Sequence, residues 1–127
     1  MIGYVTIGTN NLPKAIEFYE SLLGELGATR MMENDHAVYF MTSMDKPLIG
    51  VGTPHDKKAA TVGNGMMVAL NVDSKEKVDA IYDKAISLGG TDEGPPGERA
   101  MPGFYAAYFR DLDGNKLNCY CFAPPAS

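Results

Sequence analysis

Tryptophan is absent from this 127-residue chain, cysteine and histidine occur twice each, and no stretch of about 18 consecutive apolar residues occurs anywhere. The last absence leaves no candidate membrane-spanning helix, and residues 1–10 lack the basic and apolar regions of a leader. A cytoplasmic protein is the resulting expectation. Basic residues are outnumbered, 11 against 16 acidic, for a formal charge of -5, and only Lys57 and Lys58 stand together. Nucleic acid and anionic membrane surfaces therefore find no electrostatic footprint here, which leaves small molecules or protein as partners. Cys119 and Cys121, two apart on a candidate strand, would point to one face without bridging geometry, so they read as small core thiols. No Ser/His/Asp or Cys/His arrangement, phosphate loop or nucleotide fingerprint is present.

What the chain does contain is a copy of itself. Val5, Ile7, Phe18, Tyr19, Leu22, Leu23 and Gly27 match Val68, Leu70, Ile81, Tyr82, Ala85, Ile86 and Gly90 in type, each 63 residues on. Ala37, Tyr39, Phe40 and Leu48 match Ala106, Tyr108, Phe109 and Leu117 at an offset of 69, so the second copy carries six extra residues, assigned to the Gly/Pro-rich stretch 91–104. With 45% apolar residues the chain can bury a core but is too short for two independent domains. Residues 1–127 are thus expected to form one domain of two modules, at about 1–54 and 66–123, joined by a polar connector at 55–65.

Each copy begins with an alternating strand, at Tyr4 to Gly8 and at residues 66–72. In the first, Asn10 and Asn11 offer N-caps, Pro13 suits the first turn, and Leu12, Ala15, Ile16, Tyr19, Leu22, Leu23 and Leu26 form one helical stripe. In the second, Asp73 with Glu76 three residues later has capping-box spacing ahead of Val78, Ile81, Tyr82 and Ala85. Strands are predicted at 29–32, 37–42 and 47–52, then at 105–110 and 116–122. Asp111, Asp113, Gly114 and Asn115 between the last two read as a hairpin turn, since the oxygen ligands of a calcium loop do not follow. Pro124 and Pro125 are expected to begin a short tail. The predicted class is α+β: two tandem βαβββ modules forming one curved mixed sheet with the helices outside.

Alternation assigns Tyr4, Thr6, Ile49, Val51, Met67, Ala69, Asn71, Asn118 and Tyr120 to the concave face of that sheet, with Tyr105 and Arg110 at its border. An apolar wall with a few hydrogen-bonding groups suits a small organic ligand, and Arg110 is a candidate clamp for a carboxylate or phosphate. The ligand-binding candidates are therefore Tyr4, Thr6, Ile49, Met67, Tyr105, Arg110, Asn118 and Tyr120.

The run Val5-Thr6-Ile7-Gly8, followed by Leu12 and by Ala15-Ile16-Glu17-Phe18-Tyr19, resembles the vicinal oxygen chelate superfamily of glyoxalase I, bleomycin-resistance proteins and dioxygenases. So does Phe109-Arg110-Asp111-Leu112-Asp113-Gly114-Asn115-Lys116-Leu117, and the resemblance extends over the whole chain, most closely to glyoxalase-like bacterial proteins. It implies a ligand site on the concave face. In metal-dependent members, His and Glu side chains on the first and last strands of each copy hold an ion there. The matching positions here are Tyr4, Ile49, Met67 and Asn118, and neither His36 nor His55 falls on one. No metal and no cofactor is expected, because alkyl, thioether, amide and phenol groups do not replace imidazole and carboxylate around a divalent ion.

The resemblance therefore implies a glyoxalase/bleomycin-resistance-like binding protein, with a metal-dependent lyase or dioxygenase of the lactoylglutathione lyase type as the alternative. Metal-free catalysis by Tyr4 or Tyr105 is a third reading, but a phenol, with its ordinary pKa of about 10, would need a charged neighbour to act as a base. A homodimer is expected as well, because a half-open sheet leaves face or edge that one chain covers poorly.

Overall fold

The computed structural model describes residues 1–123, so the tail expected at Pro124 and Pro125 lies outside the described residues. The chain divides into two compact units, Met1–Gly63 and Asn64–Ser127, and both run strand, helix, three strands. The first unit comprises β1 (Tyr4–Gly8), α1 (Leu12–Gly24), β2 (Thr29–Glu33), β3 (Ala37–Met41) and β4 (Leu48–Gly52). The second comprises β5 (Val68–Asn71), α2 (Lys75–Ser87), β6 (Thr91–Glu98), β7 (Phe104–Arg110) and β8 (Lys116–Phe122). Each has its own four-stranded sheet, in the orders β1-β4-β3-β2 and β5-β8-β7-β6. The helix carries the chain across its sheet to the far edge, and the next two strands return antiparallel, which leaves the last parallel to the first. The α+β class and the tandem βαβββ modules read from the repeat are what the chain forms.

Local chemistry explains both helices. Asn11 caps α1 by accepting from the Lys14 N–H at 3.2 Å, and Pro13 occupies the first turn, where its missing N–H costs nothing. Ala15, Phe18, Tyr19, Leu22 and Leu23 are its buried stripe. The cap of α2 is Ser74, one residue later than the expected Asp73: the Ser74 hydroxyl accepts from the Lys77 N–H at 3.1 Å. Extended backbone at Ser74 (φ -153°, ψ 158°) starts the helix there, which moves Glu76 out of capping-box spacing and into the first turn, where an acid favours the helix dipole.

The Gly/Pro-rich stretch contains a strand that the sequence did not single out. β6 pairs with β7 through two register shifts, between Asp92 and Gly94 and between Gly94 and Gly97, each of which absorbs one residue as a bulge on an edge strand. Pro95 and Pro96 fall inside the second shift, where no ladder N–H is required of them.

Each unit buries its own core under its helix. Phe18, Leu22, Val38, Phe40 and Val51 are at most 2% exposed in the first unit, and Val78, Ile81, Phe109, Leu117 and Cys119 are fully buried in the second. A buried side chain of this size stabilises by roughly 1.5–3 kcal/mol. Among the described residues no helix is long and apolar enough to cross a membrane.

Candidate functional site

Residues paired across a ladder point to the same side of a sheet, so the registers sort every strand position into a helix face and an open face. In the first unit Val5 pairs with Ile49 and Ile7 with Val51, which in turn pairs with Val38. These residues share the face that α1 covers. The open face holds Tyr4, Thr6, Tyr39, Leu48 and Gly50. Tyr4 and Thr6 are therefore where alternation put them, but Ile49 and Val51 are on the opposite side from the one expected.

The physical reason is one residue in a loop. Phe40 pairs with Ile49, whereas the equivalent Phe109 pairs with Leu117, so the β3–β4 connection is one residue longer than the β7–β8 connection. A single-residue change of phase turns every side chain of a strand over. The true counterpart of Asn118 is Gly50, and Tyr39 lies across it: a Cβ built on Gly50 would stand 2.5 Å from Tyr39 Cε1. Tyr4 meets Tyr39 edge to face with ring centroids 6.0 Å apart. Tyr39, which sequence reasoning used only as a repeat marker, thus belongs to this face.

In the second unit Asn118 pairs with Ala69 and Tyr108, and Tyr120 with Asn71 and Ala106, placing these six on the open face. Met67 lies two residues before Ala69 and is 41% exposed. Tyr120 stacks on Phe104 with centroids 5.2 Å apart. Asn118 is 1% exposed, yet among the described residues neither its amide nitrogen nor its carbonyl oxygen has a hydrogen-bond partner. Tyr108, also overlooked in the sequence, carries two cations: Arg99 lies 5.3 Å and Lys116 5.5 Å from its ring centroid.

Two further candidates are committed elsewhere. Tyr105 pairs with Cys121 on the helix face, and its hydroxyl donates to Asp79 Oδ1 of α2 at 2.7 Å. That bond, reinforced by desolvation, pushes its pKa up to about 12, so it is a neutral phenol at physiological pH. Arg110 shares the open-face register, but its Nε–H donates to Glu93 and its Nη1 to the Gly114 carbonyl at 2.8 Å. Its guanidinium pins an edge strand and a turn. Asp111 organises that turn, accepting from the Asp113 and Asn115 N–H groups and from Asn115 Nδ2, all at 2.9 Å. The hairpin reading of this loop holds.

Cys119 and Cys121 are free and buried on the helix face. Cys119 Sγ donates to the Val78 carbonyl at 3.6 Å, and burial pushes its pKa up to about 12, which makes it an inert core thiol. His36 and His55 are exposed. Among the described residues no three His, Cys, Asp or Glu side chains converge. With the register corrected, the four positions matching the metal-ligand positions hold Tyr4, Gly50, Met67 and Asn118, and a donor set of phenol, no side chain, thioether and amide does not fit a divalent ion.

Residues 1–119 match the family model described as the Glyoxalase/Bleomycin resistance protein/Dioxygenase superfamily. Among solved structures, a glyoxalase/bleomycin resistance protein from Albidiferax ferrireducens is 35% identical, with a TM-score of 0.88 over 97% of this chain and 99% of that one. A glyoxalase/bleomycin resistance protein/dioxygenase family enzyme from Burkholderia phytofirmans (21% identity, TM-score 0.76, 95% and 98% covered) shares the fold. So does a lactoylglutathione lyase from Agrobacterium tumefaciens (19% identity, TM-score 0.70, 95% and 92% covered). A search of the curated proteins finds no match.

Proposed function

The chain belongs to the glyoxalase/bleomycin resistance protein/dioxygenase superfamily, and from that premise we propose that it binds a small organic ligand, without a metal ion, on the open face of its second sheet. The observation that supports this reading is the carboxamide of Asn118, buried with both its polar atoms unpartnered among the described residues. A buried polar group left unsatisfied costs about 1–3 kcal/mol, and a ligand offering a complementary donor and acceptor removes that cost on binding. Its ladder partner Ala69 presents a small side chain on the same face, and the Tyr108 and Tyr120 rings supply apolar surface with polar tips. Catalysis by Tyr105 has no support, because its hydroxyl is committed to Asp79.

The Asn118→Leu variant tests the reading through two opposite signs. Affinity for compounds found in a thermal-shift screen should fall about fivefold, the equivalent of one hydrogen bond worth about 1 kcal/mol. The unliganded protein should be as stable as the parent or more so, since an orphaned amide has been replaced by an apolar group of similar size. Unchanged affinity for every compound would place the site elsewhere.

The proposal includes a homodimer. Tyr4, Met32 and Phe122 are 61%, 53% and 47% exposed, apolar strand surface that pairing with a second copy would cover. Light scattering at micromolar concentration should give about twice the chain mass of 13.7 kDa. A mass of one chain would contradict it.

A further inference from the structure

The cations around Tyr108 say what kind of ligand the Asn118 face would take, an inference that rests on the binding reading above. In a chain with 16 acidic and 11 basic residues, a cluster of unneutralised positive charge runs against composition. Arg99 and Lys116 nevertheless both lie within 5.5 Å of one ring centroid. The nearby acids are taken. Glu93 pairs with Arg110, Glu98 with Lys75 at 3.0 Å, and Asp92 accepts from the Tyr82 hydroxyl at 2.8 Å.

Among the described residues neither Arg99 nor Lys116 has a carboxylate partner; Arg99 Nη2 donates only to the Pro95 carbonyl, at 2.7 Å. One cation over a tyrosine ring is a favourable pair in itself. Two on the same ring leave positive charge on this face with no carboxylate to balance it, and an anion bound beside the ring supplies that balance. Tyr108 is also the cross-strand partner of Asn118, so the cationic pair and the orphaned carboxamide are neighbours on one face.

We propose that the ligand is a small organic oxyanion, a carboxylate or a phosphate ester, with its charged end at Arg99 and Lys116 beside Tyr108 and its hydrogen-bonding body at Asn118. Arg99 supplies a planar fork suited to either oxyanion, and Lys116 a point charge. Nothing in the proposal requires the oxyanion to react.

Matched probes test it: benzoate against benzamide, and phenyl phosphate against phenol, titrated at up to about 10 mM while the backbone amide resonances of Tyr108 and Asn118 are followed. The anions should shift both resonances and bind more weakly as salt is raised, while the neutral partners leave them in place. Whichever anion binds tighter identifies the oxyanion type. Arg99→Gln and Lys116→Gln should each weaken the anion about tenfold, with the thermal midpoint of the unliganded protein retained. Equal binding of neutral and charged probes, or no binding of either anion, overturns the oxyanion assignment. If the two charge variants bind normally while Asn118→Leu does not, the anion inference falls and the Asn118 site stands; if Asn118→Leu also binds normally, the site reading falls with it.

Discussion

Protein purified without chelator is expected to carry no stoichiometric nickel or zinc, and to leave the hemithioacetal of methylglyoxal and glutathione unconverted when either metal is added. The expectation rests on the donors. Where the superfamily's metal-dependent members use His and Glu, the matching positions hold Tyr4, Gly50 and Asn118 in the strand ladders and Met67 just before β5. Gly50 is the most telling of these. It has no side chain to offer, and Tyr39 fills the space where one would begin. Replacing it by an acidic residue would force the ring aside before any ligand was gained. The thioether of Met67 favours soft ions, and an amide oxygen is a weak donor without carboxylate company. A Lewis acid that polarises a bound substrate, the chemistry the ion supplies in such enzymes, would have no ligand set to hold it here. Elemental analysis together with the coupled assay decides the matter. About one tightly bound metal per chain, with turnover abolished by chelator, would establish the lyase reading instead.

Gly90→Ala is expected to destabilise the fold by about 3 kcal/mol, which lowers the thermal midpoint by about 10 °C in a chain of this length. A Cβ at this position would lie 2.7 Å from the Ala85 carbonyl oxygen and 2.9 Å from that of Arg110. Both atoms are backbone, and both are held. The Gly90 N–H closes the end of α2 on Ala85 at 2.8 Å, and Arg110 is in ladder with Thr91. Relief therefore requires either the helix end or the sheet to move. Gly27 is its sequence match, yet it does different work: it sits at φ +80°, a Cβ there would meet nothing within 4 Å, and the Ala28 N–H closes α1 on Leu23. Gly27→Ala should cost only the left-handed backbone, about 1 kcal/mol. Denaturant unfolding of the two variants side by side is the measurement, and a Gly90→Ala loss no larger than that of Gly27→Ala would show that the close contacts relax freely.

These glycines illustrate how far a repeat can be followed in one dimension. The helical stripes, the alternating strands and the turn at Asp111 to Asn115 were legible because each depends on residues a few positions apart, and local geometry converts such spacing directly into structure. Tyr4, Thr6, Asn118 and Tyr120 were assigned to the open side for the same reason: each sits in a regular strand whose phase the neighbouring residues reveal. Ile49 was misplaced because phase accumulates along the chain, and one additional loop residue between β3 and β4 inverted it while leaving the similarity of the copies visible. Tyr105 was misplaced because it was set at the border of the open face, although alternation along β7 gives it the side facing Asp79.

By itself, then, the sequence determined the two βαβββ modules and their buried stripes, since periodicity is a property of the chain alone. Only the tertiary structure decided that Arg110 is bound to Glu93, that Tyr39 closes over Gly50, and that Asn118 is buried without a hydrogen-bond partner among the described residues. Those facts join residues on different strands, and whether a polar group is satisfied depends on which of many distant groups folding brings within about 3 Å, a distance that sequence spacing does not encode.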